Sequence, residues 1–293
     1  MSNPYLPPET FDYIIDLLHD KPEALRECCL VSKSWLPRAR KHIFADIKFH
    51  SVDNLESWKE TFPDPSSSPA HHAHTLFIGC PQAVAEADAE EDGWILGFSR
   101  VERLVVNCTW TSFNTREISL IPFHKFSPSL KSLRVTSLFL PHLQVFHLIS
   151  SLPLLEDLTL IGHDMSAMDG RLSVVTSASP VFTGTLELFL YQGMINTARR
   201  LLNLPNGLHF QTLNLSWHDE EDLHWIVALV VACSDTLEYI DITCELDGTL
   251  HFVHWFVGPM IHSSLHLQMS PRRIRSTSPK RQNSKMSYFG VGR

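Results

Sequence analysis

The residues richest in possible chemistry in this 293-residue chain are its 17 histidines and six cysteines. Two histidine groups are dense enough to raise a metal: His71-His72-x-His74 with Cys80 just beyond, and His251-x-x-His254 with His262. A zinc site normally shows paired cysteines, or two histidines one helical turn apart around a glutamate. Neither group has either feature, so the expectation is a His-rich loop and no bound metal. The cysteines, at 28, 29, 80, 108, 233 and 244, make no C-x-x-C pair, and most lie in apolar runs. A free thiol there acts as a small hydrophobe, which fits a reducing compartment. There is no G-x-x-x-x-G-K-S/T phosphate loop, no G-x-G-x-x-G turn and no G-x-S-x-G nucleophile elbow. Serine, histidine and aspartate are plentiful, but no spacing selects a catalytic set. The chain therefore reads as a non-enzyme without a cofactor.

Charge is unevenly placed. The net value is −8, yet Ser270 to Arg293 holds seven Lys/Arg and no Asp/Glu, so the first 269 residues carry −15. An acidic body with a basic tail argues against nucleic-acid binding. The run Glu86 to Asp92 has five carboxylates in seven residues and suits a solvated face. The tail contains Ser270-Pro271-Arg272-Arg273 and Ser278-Pro279-Lys280-Arg281, a pattern open to proline-directed phosphorylation or to use as a nuclear import signal. The longest apolar run, Ile226 to Cys233, is too short to span a bilayer. No secretory leader is visible. A cytoplasmic or nuclear protein is expected.

A short pattern recurs along the body: apolar, two residues, apolar, one residue, apolar. It reads Phe44/Ile47/Phe49, Ala73/Leu76/Ile78, Val101/Leu104/Val106, Leu130/Leu133/Val135, Leu155/Leu158/Leu160, Thr183/Leu186/Leu188, Phe210/Leu213/Leu215 and Leu237/Ile240/Ile242. The central positions step by 25 to 29 residues. Each unit predicts a short strand that buries one face, and a face that small is buried only by stacking on its neighbours. The segments between should be outer helices, among them Ser51 to Phe62, one starting at Pro141, one over Met194 to Leu202, and Leu223 to Cys233. Pro63 to His74 reads as a mobile loop. His251 to Met260 reads as a last cap or the start of a ninth unit, and the chain from Ser263 as disordered. The Leu-x-Leu core with a period near 27 resembles leucine-rich repeats of a degenerate kind.

Leu6 to Phe49 differs from the rest. Leu6-Pro7-Pro8-Glu9 opens it, Phe11, Ile14, Ile15, Leu17 and Leu18 follow at helical spacing, and Leu30-Val31-Ser32-Lys33-Ser34-Trp35 leads to Ala39 and Phe44. Three short helices are expected, over roughly 8–19, 22–31 and 32–43. Their apolar stripes are too wide for a bundle of this size, which leaves surplus surface to be covered. These residues resemble the F-box, from which the sequence departs at Thr10-Phe11. A plain helical cap on the repeats is the competing reading.

Together these readings predict an α/β solenoid. An F-box-like three-helix module over 1–45 precedes a curved leucine-rich-repeat-like array of about eight strand-helix units over 46–262, with a basic tail over 263–293. The resemblance implies the substrate receptor of a Skp–cullin–F-box ubiquitin ligase, docking a Skp-type adaptor and through it a cullin–RING ligase. Leu6, Pro7, Ile14, Leu17, Leu18, Leu30, Val31 and Trp35 are the candidates for that contact. An unknown protein target would meet residues between the core positions of the strands, chiefly Arg103, Lys131, Arg134, Glu156, Glu238 and Tyr239. A repeat scaffold outside any ligase is the alternative.

Overall fold

The computed structural model describes residues 7–81, 84, 93–108, 120–139, 142–163, 180–192, 194–217, 223–246 and 249–256. The basic tail, the acidic run Glu86 to Asp92, Leu6 and His262 lie outside them. The chain opens with helices α1 (Pro8–Asp16), α2 (Pro22–Val31) and α3 (Leu36–Ile43). Each carries a proline in its first turn and none has a side-chain cap. Proline suits that position because its ring presets the helical φ and its missing N–H has no partner there anyway. α1 stops short of the predicted boundary because the chain tightens into a turn, with the Leu18 N–H on the Ile15 carbonyl and Lys21 on Leu18. α3 starts late because Ser32 is extended and its hydroxyl accepts the Ser34 N–H at 3.2 Å.

Ile15, Leu25, Cys28 and Ala39 form the buried centre of the three helices, with Leu18, Cys29, Trp35 and Ile43 packed against it. The rings of Phe11 and Trp35 lie 5.3 Å apart. This cluster is separate from the main core.

The remaining elements are β1 (Asp46–Phe49), α4 (Val52–Thr61), β2 (Thr75–Ile78), β3 (Arg103–Asn107), β4 (Ser132–Phe139), α5 (His142–Ser150), β5 (Asp157–His163), β6 (Thr185–Gln192), α6 (Met194–Leu202), β7 (Thr212–Trp217), α7 (Leu223–Ala232), β8 (Tyr239–Leu246) and β9 (Thr249–Phe256). They build an α/β arrangement around one nine-stranded sheet whose strands lie in sequence order. β1 to β8 are parallel, and β9 returns antiparallel along β8.

The eight central positions of the recurring pattern stand side by side. Ile47, Leu76, Leu104, Leu133, Leu158, Leu186, Leu213 and Ile240 form one unbroken row across the sheet. All are buried, as is the row two residues on, from Phe49 to Ile242. Leu55 of α4, Phe146 and Ile149 of α5, Ala198 and Leu201 of α6, and Ile226 and Leu229 of α7 share their core. The helices thus cover the sheet on one face, and alternate strand residues point the other way.

Three expectations need correction. In the sixth unit Phe182 is buried and stacks on Phe210 at 4.6 Å, whereas Thr183 is exposed. An extra residue there moves the apolar side chain back by one. Pro63 to His74 holds local structure of its own. The Asp64 carboxylate takes the N–H and hydroxyl of Ser66, and a 3-10 helix at Pro69–His72 buries Pro69 and Ala70. Residues 249–256 form the antiparallel edge strand in place of a cap or a ninth unit. Two connections also hold 3-10 helices, Trp94–Gly97 and Ile121–Phe126.

One backbone device recurs at the start of the strands. The Ala45 carbonyl accepts the N–H groups of His74 and Thr75; His74 does the same for Glu102 and Arg103, Glu102 for Lys131 and Ser132, and Lys131 for Glu156 and Asp157. The pattern changes where the extra residue sits. The Glu156 carbonyl takes only the Gly184 N–H, and the Asp157 carboxylate accepts the Thr185 N–H at 2.7 Å. Gly184 is required for this, since a Cβ there would stand 2.2 Å from the Asp157 oxygen. Asp157→Ala is expected to destabilise by about 1.5–3 kcal/mol, the usual worth of a hydrogen bond to a charged group. Gly184→Ala should cost a similar amount, and the double variant less than the sum, because both break one contact. Urea unfolding of the three variants measures this. Full additivity would show that the two residues act apart.

Candidate functional site

Two surfaces carry the residues singled out from the sequence. The first lies on α1 and α2. Ile15 faces inward, so the residues around the other side of α1 face out: Tyr13, Ile14 and Leu17 are 65%, 40% and 58% exposed. At the end of α2, Leu30 and Val31 are 81% and 65% exposed. Pro7 is exposed just ahead of α1. Leu18 and Trp35 are half-buried and belong to the packing that holds the helices together. The structure therefore divides the candidates into an outward set (Pro7, Ile14, Leu17, Leu30, Val31) and an inward pair. Tyr13 was missed; its spacing of four from Leu17 on one helix was the available signal.

α1 is fixed to α3 by a charged contact. Arg38 donates from Nε to one Asp16 oxygen at 2.6 Å and from its Nη2 to the other, in a forked pair. His42 Nε2 lies 2.7 Å from the first oxygen. The Arg38 and His42 bonds hold the Asp16 carboxyl well below the usual carboxylate range. Sequence reasoning did not find this group, because its members are 22 and 26 residues apart and no local pattern links them.

The second surface is the sheet face that the helices leave open. Lys48, Phe77, Val105, Arg134, Thr159, Glu187, Asn214 and Asp241 stand in one row across it. Glu187 is held by the Thr159 hydroxyl at 3.0 Å and the Asn214 amide at 3.3 Å. Arg103 and Arg134 are exposed on this face, and Tyr239 is half-buried. Lys131, Glu156 and Glu238 are exposed at the leading ends of their strands, where Lys131 Nζ reaches Glu102 at 3.8 Å. The structure brings all six target-contact candidates to this face and its leading rim. Cations gather toward β3 and β4, carboxylates toward β5 to β8.

The thiols offer little chemistry. Burial pushes Cys108 up to about 12 and Cys233 up to about 11, so both stay protonated. Among the described residues no three His, Cys, Asp or Glu side chains converge to hold a metal. No described helix is long and apolar enough to cross a membrane. No protein-family model matches the chain, nor does any curated protein or solved structure.

Asp16 sets a testable dependence on acid. Its folded-state pKa is depressed, so its contribution to stability is complete above the unfolded value of about 4. It fades as pH falls from there toward the lower folded-state value. Asp16→Asn should loosen α1 against α3 at pH 7, and the gap between variant and parent should close on acidification below about pH 4. Amide exchange of the three helices at several pH values reads this out. A gap that stays constant with pH would rule out the charge as its source.

Proposed function

We propose that the chain is the substrate receptor of a Skp–cullin–F-box ubiquitin ligase, with α1 to α3 as an F-box-like module and the sheet with its helices as a leucine-rich-repeat-like solenoid. One observation carries the reading: five large apolar side chains (Tyr13, Ile14, Leu17, Leu30, Val31) stand in water on helices whose own buried centre has only four residues. Full burial of such a side chain is worth about 1.5–3 kcal/mol, so a partner that covers several of them gains substantially. The order Leu6-Pro7-x-Glu9, the apolar helix and Leu30-Val31-Ser32-Lys33-x-Trp35 supports an adaptor of the Skp type as that partner.

In this reading the open sheet face holds the target. Side chains on adjacent strands are fixed in register, so the surface is rigid and loses little entropy on binding. The chain supplies no catalytic group. Holding a target beside a ligase-bound ubiquitin carrier raises the local concentration of its lysines, and that is the whole contribution to rate.

Leu17→Asp combined with Leu30→Asp should abolish capture of a Skp-type adaptor while leaving the unfolding midpoint unchanged, since both side chains are already solvated. Trp35→Ala should instead lower that midpoint, because Trp35 packs inside the module. Co-purification and urea unfolding of the variants distinguish the two effects. Undiminished adaptor capture by the double aspartate variant would end the proposal.

A further inference from the structure

Where α3 meets the 3-10 helix Pro69–His72 there is a cavity of about 190 Å3. Arg40, His71 and His72 line it together with Ser67, and Leu36 and Pro69 form an apolar wall. These groups are positioned from several sides. The Arg40 guanidinium carbon sits 5.9 Å from the Phe44 ring centre. The His71 Nδ1 donates to the Ser68 carbonyl at 2.8 Å, which leaves its Nε2 as the other hydrogen-bonding atom of the ring. The two imidazoles lie 4.0 Å apart, centre to centre.

Among the described residues the charges that act on His72 are of one kind. Burial, and after it the neighbouring His71, Arg40, Arg100 and Lys41, holds His72 below the ordinary histidine range. The carboxylate of the neighbouring loop, Asp64, is engaged by Ser66. Positive groups drawn together around a recess repel one another, and an anion placed among them relieves that cost. This happens in a chain whose net charge is −8.

We propose that this cavity binds a phosphate group, held by Arg40, His71 and His72. A guanidinium offers a fork of donors suited to phosphate oxygens, and an imidazole adds one more when the arriving anion draws a proton onto the ring. A long polyanion fits poorly, because its charge would extend past the recess into the field of a body that carries −15 before the tail. The apolar wall gives nothing to a free ion but can cover the carbon end of a phosphate ester. The site stands apart from the adaptor reading and survives its failure.

The test uses the full chain and follows the histidine ring protons by NMR at pH 7. Inorganic phosphate should shift the His71 and His72 signals saturably, while chloride at matched ionic strength should not. It should also raise the pH at which His72 gains its proton, because the anion favours the charged ring. Arg40→Gln should weaken binding by about tenfold, the loss of one charge-assisted hydrogen bond. Lys48→Gln, on the open sheet face, should leave it unchanged. If Arg40→Gln unfolds, His72→Gln serves the same purpose. Phosphoserine within a short peptide tests the source: tighter binding than inorganic phosphate points to a phosphorylated polypeptide, and equal binding to the free anion, both in favour of the site.

Three results would overturn it: no saturable shift, equal affinity in parent and Arg40→Gln, or tighter binding of a single-stranded oligonucleotide than of phosphoserine.

Discussion

Each strand from β1 to β8 has one face that must be buried, and it is too short to bury that face alone. That constraint governs the sheet. A strand of four to eight residues gains little by itself; set beside its neighbours, it contributes one link to a continuous apolar layer. Side chains alternate along a strand, so a slip of one residue would turn Leu133 and Val135 to water and Arg134 inward. The register is therefore enforced eight times over. The shared carbonyls at the strand starts reinforce it, since each of them aligns one strand with the next before pairing begins. The irregular sixth unit shows what that alignment requires. One additional residue displaces the usual acceptor, and a carboxylate from the strand next door takes its place against a glycine.

The three N-terminal helices obey a different balance. Their buried centre is small, and they rely on the Asp16 contact with Arg38 and His42 to hold α1 across α3. Half-exposed ion pairs are usually weak, but this one is forked and joins two elements, which is the geometry in which such a pair matters most. Tyr13 and Leu17, turned away from the buried Ile15, stand in solvent. Apolar residues that the helices do not use for themselves remain available to others.

How much of this could be read beforehand varies by element. The central residues of all eight strands were legible, because a parallel sheet in sequence order turns spatial neighbours into a fixed interval along the chain. Three helices at the start were legible from their apolar spacing; the second kept its expected bounds, while the end of the first and the start of the third moved by several residues where local turns took over. The two 3-10 helices at Trp94 and Ile121 were not, since so short an element leaves no periodic mark. Thr183 was chosen over Phe182 because the interval was trusted across an insertion. The division of the candidates into exposed Leu17 and Leu30 and packed Leu18 and Trp35 was beyond reach: all are apolar, and only the third dimension tells them apart. The Asp16 group and the recess beside Arg40 were hidden for a related reason, as both join segments distant in sequence.

The reversed direction of β9 has a consequence for how such a chain can lengthen. A copied strand-and-connection segment inserted anywhere between β1 and β8 meets parallel neighbours on both sides and can be accommodated. Placed after β9 the same segment would have to pair antiparallel, a hydrogen-bond pattern unlike that between β1 and β8. A segment added within β1 to β8 would therefore keep the parallel pattern and the shared carbonyls, and one added beyond β9 would keep neither.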